Sequence, residues 1–126
     1  MFKIFSNPYI HVIMCLILTV YGQIIIKNRI NLYGALPDGF FEKITKILKF
    51  FYDPLIISGF VSAFIASLFW MSAMTSLNIT RAYPIMAFAP LLVLFFGIFA
   101  LNEALTWGKL LGGILVLIGI ILSVRF

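Results

Sequence analysis

Apolar residues run almost unbroken through four stretches of this chain, 8–26, 55–77, 82–101 and 108–124. A helix that crosses the hydrocarbon of a bilayer needs about 20 largely apolar residues. Each stretch is long enough, so the pattern predicts four transmembrane helices. The last three follow one another through short turns, which makes them antiparallel neighbours in a compact up-down bundle.

The first connection has a different pattern. NRINLYGALPDG reads as a turn, with Gly34, Pro37 and Gly39 as breakers. FFEKITKILKFF follows, in which Phe40, Phe41, Ile44, Ile47, Leu48 and Phe51 recur at helical spacing. Glu42, Lys43, Thr45, Lys46 and Lys49 fill most of the other face. A short helix over 40–51 with one apolar and one basic face lies flat in the headgroup layer. The pattern is also compatible with a helix capping the bundle. Asp53-Pro54 ends it before the second span. The expected fold is therefore an all-α membrane protein: four transmembrane helices plus one short interfacial amphipathic helix, forming a single membrane domain over residues 1–126.

Composition supports that class. The chain is 63% hydrophobic and 10% charged, whereas soluble chains carry charge on about a quarter of their residues. The net charge of +5 sits beside apolar segments, where anionic headgroups are the natural partner and nucleic acid is not. The first apolar run leads into Lys27 and Arg29 without a small-residue cleavage pattern, so it is expected to remain as a span. Lys27, Arg29, Lys43, Lys46, Lys49 and Lys109 fall on one side of the expected bundle. Lys3, Arg81, Arg125 and the terminal amine fall on the other, a modest bias that favours termini outside or insertion both ways.

Candidate chemistry is sparse. Cys15 and His11 are each the only residue of their type, so neither a metal site nor a histidine-based catalytic site is expected, nor any cofactor. No Asp, Glu, Lys or Arg occupies the middle of a span. The polar residues inside are neutral: Thr19, Gln23, Ser62, Ser67, Ser72, Thr75 and Asn78. Gln23 and Lys27 are one helical turn apart and share a face. An amide beside a cation suits a phosphate or sugar headgroup, although Lys27 equally suits snorkelling and Gln23 a bond to a neighbouring helix. Trp70 sits mid-span, where packing is a commoner role than lining a pocket. Gly108, Gly112, Gly113 and Gly119 form a small-residue stripe that suits a dimer interface more than an internal contact.

The most polar stretch next to a span is TSLNITRAYP. Asn78 to Arg81 is expected to be the turn before the third span. Pro84 is expected in that helix's first turn, and Pro90 deeper, kinking it and freeing a carbonyl.

NPYI, GQIIIK, SLFWMSAMTSLNITRAYPIM and NEALTWGKLLGGILVLIGIIL together resemble the four-span branch of the drug/metabolite transporter superfamily. That branch includes the small multidrug resistance exporters and small EamA-like proteins. The exporters carry a first-span glutamate and a third-span tryptophan where this chain has Thr19 and Met86, which removes a cage for a drug cation. Gly22–Gln23, Lys27, Ala82–Tyr83–Pro84 and Glu103 are more similar to the subunits that flip undecaprenyl-phosphate-linked aminoarabinose.

The resemblance implies a flippase subunit that moves a polyprenyl-phosphate-linked sugar between leaflets of the inner (cytoplasmic) membrane, with no catalytic residue. Lys27 and Arg81, at opposite ends of the bundle, would meet the phosphate on entry and exit. Gln23, Tyr83, Asn78, Glu103, Trp70 and Thr19 would face the sugar or its path. A homodimer, or a heterodimer with a similar four-span subunit, is expected. Two other readings stay open: a small exporter of a cation or metabolite coupled through Glu103, and an accessory membrane subunit of a glycosyltransferase system.

Overall fold

The computed structural model describes residues 2–126, so the terminal amine on Met1 lies outside the described residues. Among these residues the chain is all-helical, with four helices long and apolar enough to cross a membrane. A short helix α1 (Phe2–Phe5) leads into α2 (Pro8–Tyr33), the longest element. Asn7 caps α2 by accepting a hydrogen bond from the Tyr9 N–H at 3.0 Å, and Pro8 occupies a position where no N–H is needed.

The helix does not stop near residue 26. Its 26 residues span roughly 39 Å at about 1.5 Å per residue, against hydrocarbon about 30 Å thick. The segment read as a turn from Asn28 is thus helical as far as Tyr33. The first true breaker is Gly34, whose φ of 76° lies in the left-handed region.

The amphipathic helix α3 (Phe40–Lys49) forms where expected, and continues into a 3₁₀ turn over Phe50–Tyr52. Asp53 then caps α4 (Pro54–Met74), accepting from the Leu55 N–H at 2.9 Å. After a short turn Asn78 precedes α5 (Ile79–Met86). A break at Ala87 separates it from α6 (Phe88–Phe99), and Thr106 caps α7 (Trp107–Arg125).

The third span begins earlier than expected, so Thr80 and Arg81 are helical and Pro84 is an interior residue. Having no N–H, Pro84 cannot bond the Thr80 carbonyl one turn back, and Pro90 cannot bond that of Met86. The interruption at Ala87 falls between these two prolines, one turn before Pro90.

Two tethers set the order of the bundle. Arg29 near the end of α2 meets Asp53 at the start of α4, and His11 near the start of α2 meets Ser72 near the end of α4. These helices are therefore antiparallel and in contact along their lengths. Midway, the Ser62 hydroxyl donates to the Leu18 carbonyl at 2.7 Å. Gly22 faces Gly59 so closely that a Cβ on Gly22 would lie 2.8 Å from the Gly59 carbonyl oxygen. Small residues at such a crossing let backbones approach, which drives helix association where no water is present to expel.

The third span closes one end of the pair, where Val12, Ala73 and Ala82 are buried together. The fourth span is the least covered: 6% of its apolar window is buried. The glycine stripe on α7 divides. Gly112 and Gly119 look into open space, but a Cβ on Gly113 would lie 3.5 Å from Leu91 and from Leu94. Gly113 is therefore an internal contact with α6, not part of an outward face.

Candidate functional site

The site is built along the open side of the α2–α4 pair. At one end a groove of about 400 Å³ is lined by Gln23 and Lys27 on α2 and by Gly59, Phe60 and Ala63 on α4. Thr19 and Ala63 also line the next groove, of about 370 Å³, which reaches Ser67, Trp70 and Tyr83. Tyr83 in turn borders a groove between the third and fourth spans with Thr80, Gly119 and Ser123. Thr80, Pro84 and Ser123 continue into a mouth lined by Tyr9 and Arg81. Adjoining grooves thus share residues all the way from Lys27 to Arg81. Between these two cations the lining holds no charged side chain.

Helix geometry explains the placement. Thr19, Gln23 and Lys27 recur every fourth residue and stand in a row on one face. The Gly22–Gly59 approach holds α4 close beside that row. Trp70 and Tyr83 meet edge to face, with centroids 5.5 Å apart. Tyr83 is exposed, while Trp70 is half-buried.

The cations fall into two sets. Arg29 donates from Nε to Asp53 at 2.7 Å. Lys46 donates to the Ala35 carbonyl at 2.6 Å, and Lys109 to the Ala104 carbonyl at 2.8 Å. Among the described residues no side-chain hydrogen bond or ion pair engages Lys27, Arg81 or Gln23. Among the described residues Lys27 and Arg81 are thus unpaired donors at the two groove ends, a point charge at Lys27 and a planar fork at Arg81.

Other expected site residues lie elsewhere. Asn78 is the exposed residue before α5. Glu103 lies at the Lys27 end of the bundle and is not among the residues that line these grooves. Its carboxylate would contact a Cβ placed on Gly97, and it lies 3.9 Å from the Lys109 Nζ. Thr19, Gln23, Trp70 and Tyr83 are brought onto one path; Asn78 and Glu103 are not.

Sequence reasoning misses a polar cluster below the Lys27 end. Buried Asp53 accepts from the Tyr33 hydroxyl at 2.6 Å as well as from Arg29 and the Leu55 N–H. The Tyr33 hydrogen bond, with Arg29 and Leu55 adding to it, outweighs burial and holds the Asp53 carboxyl down at about 2. The one usable signal is the i, i+4 spacing of Arg29 and Tyr33, which puts both on the face of α2 that meets the start of α4.

Among the described residues no group of three or more His, Cys, Asp or Glu could hold a metal ion. No curated protein and no solved structure matches the chain. A family model described as the EamA-like transporter family matches residues 9–125. A match over nearly the whole chain, including all four spans, means that this membrane protein belongs to the EamA-like transporter family.

Proposed function

We propose that the chain is a flippase subunit that moves a polyprenyl-phosphate-linked sugar between the leaflets of a cell's inner membrane. The observation that carries this reading is the path of shared grooves from Lys27 to Arg81, cationic at each end and uncharged between. A lipid-linked sugar needs polar company only for its headgroup; its polyprenyl tail remains in hydrocarbon. Lys27 receives the phosphate at one leaflet and Arg81 at the other, while Gln23, Thr19 and the Trp70–Tyr83 pair pass the sugar. The groove is open along one side, so a second four-span subunit, identical or similar, completes it. The protein then works by translocation, without chemical change to the substrate.

The placement of Glu103 favours this reading over an exporter that couples to protons. A coupling carboxylate has to exchange between proton and cargo on the pathway, and this one is turned toward Lys109.

The test is the leaflet distribution of the lipid-linked sugar in cells with and without the protein, read with a membrane-impermeant oxidant of the sugar. Loss of the protein should strand the sugar on its side of synthesis, and Lys27→Ala or Arg81→Ala should reproduce the defect. Glu103→Gln should leave translocation intact. An unchanged distribution, or abolition of proton-driven cation efflux by Glu103→Gln, would overturn the proposal.

A further inference from the structure

Helix α3 plays no part in the path just described, yet it is the most strongly two-faced element of the chain. None of its residues is buried, and Phe40 and Phe41 are 70% and 82% exposed. At about 100° per residue Phe40, Phe41, Ile44, Ile47 and Leu48 share one side. Glu42, Lys46 and Lys49 lie opposite, with Lys43 and Thr45 at the two borders.

Two contacts fix how this helix sits. Lys46 holds the preceding segment through the Ala35 carbonyl. Phe51, which continues the apolar side, stacks on Phe60 of α4 with centroids 4.9 Å apart. Phe60 is exposed and lines the Lys27 groove, so the apolar side of α3 continues to the edge of that groove. A helix lying in the interface buries its apolar face to a depth of about 5–10 Å.

We infer that α3 is an anionic-lipid docking surface, which recruits acidic phospholipid around the Lys27 end of the groove. The occupant is set by charge: three lysines against one glutamate, of which Lys43 and Lys49 have no hydrogen-bond or ion-pair partner among the described residues. Lys43 at the border reaches the phosphate level while its stem stays against hydrocarbon. A lysine near an anionic leaflet contributes about a fivefold preference. This anchoring does not depend on what the groove carries.

The test uses the full-length protein, with Cys15→Ser and Thr45→Cys, labelled with a fluorophore at position 45. The protein is placed in vesicles of phosphatidylcholine mixed with phosphatidylglycerol. Quenching is compared between headgroup-nitroxide phosphatidylglycerol and headgroup-nitroxide phosphatidylcholine. The expected result is a several-fold stronger quenching by phosphatidylglycerol, which weakens as salt is raised. Lys43→Gln with Lys49→Gln should bring the two lipids to near equality while circular dichroism stays that of the parent. Equal quenching in the parent protein overturns the inference. So does protection from both lipids accompanied by self-quenching between copies, which would make α3 a protein interface.

Discussion

Trp70 of α4 and Tyr83 of α5 stand edge to face, their ring planes at 87° and their centroids 5.5 Å apart. The pair joins the half of the groove on the α2–α4 pair to the half on the third and fourth spans. Such a pair contributes about 0.5–1.5 kcal/mol beyond simple burial. Trp70→Ala and Tyr83→Ala should each destabilise the detergent-solubilised protein by more than that amount, Trp70→Ala the most, because its ring also packs against the buried cluster of Val12, Ala73 and Ala82. The double variant should cost less than the sum of the two, because the singles share one contact. Tyr83→Phe should keep stability, since its hydroxyl makes no hydrogen bond among the described residues. A fall in sugar translocation with Tyr83→Phe would then assign the hydroxyl to the substrate.

The Asp53 cluster sets a pH dependence of stability. Its carboxyl is held at about 2 in the folded protein against an ordinary value of 3.8. A depressed pKa stabilises the fold fully above the ordinary value, and that contribution disappears as pH falls through the folded one. Thermal unfolding in detergent should therefore show a decline between about pH 4 and 2. Asp53→Asn retains a good cap for α4 but offers Arg29 no charge. It should lower the unfolding temperature at neutral pH and flatten the acid decline. Parallel declines in both proteins would show that another group carries it.

That cluster also marks where the sequence stops being informative. Hydrocarbon imposes length and composition on anything that crosses it, so the four spans are legible from apolar runs alone. The two faces of α3 are legible from spacing. Arg29, Tyr33 and Asp53 obey no such filter. Arg29 in a connection reads as a topology signal, and Asp53 before Pro54 reads as a helix break. Their meeting depends on α2 running on to Tyr33, which hydropathy does not reveal because the extra turns, NRINLY, are too polar to extend the apolar run. The groove is legible in part for a similar reason. Gln23 and Lys27 share a face by spacing, but which side of α7 Gly113 takes depends on how that helix is rotated against Leu91 and Leu94.

The crossing of α2 and α4 gives an ordered pair of outcomes. A methyl group on Gly22 would meet the Gly59 carbonyl oxygen at 2.8 Å, an atom that moves only with its helix. A methyl group on Gly59 would instead meet the side chains of Ile26 and Ile25, at 2.8 and 2.9 Å. The isoleucine γ-carbons have little χ1 freedom in a helix, but side chains still give by a few tenths of an ångström more readily than a main-chain carbonyl does. Gly22→Ala should thus destabilise by about 1–3 kcal/mol, the usual range for overpacking, and Gly59→Ala by less. Thermal unfolding of the two variants checks the order. Since both glycines line the Lys27 groove, Gly22→Ala should also impair translocation more than Gly59→Ala does.

The divided glycine stripe makes the proposed dimer testable residue by residue. At about 100° per residue Gly108, Gly112 and Gly119 fall within a narrow arc of α7, while Gly113 stands about 100–140° away from them. The first three are exposed, whereas Gly113 faces α6 at van der Waals distance. In a Cys15→Ser background, Gly112→Cys and Gly119→Cys should each link two copies on mild oxidation in the membrane. Gly113→Cys should not, because its thiol would point into the contact with Leu91 and Leu94. Gel mobility without reductant reads the result. Linking at 113 but not at 112 would mean that α7 meets its partner through another face. No linking at any of the three would remove the fourth span from the interface and leave the open side of the groove to be closed by a different helix.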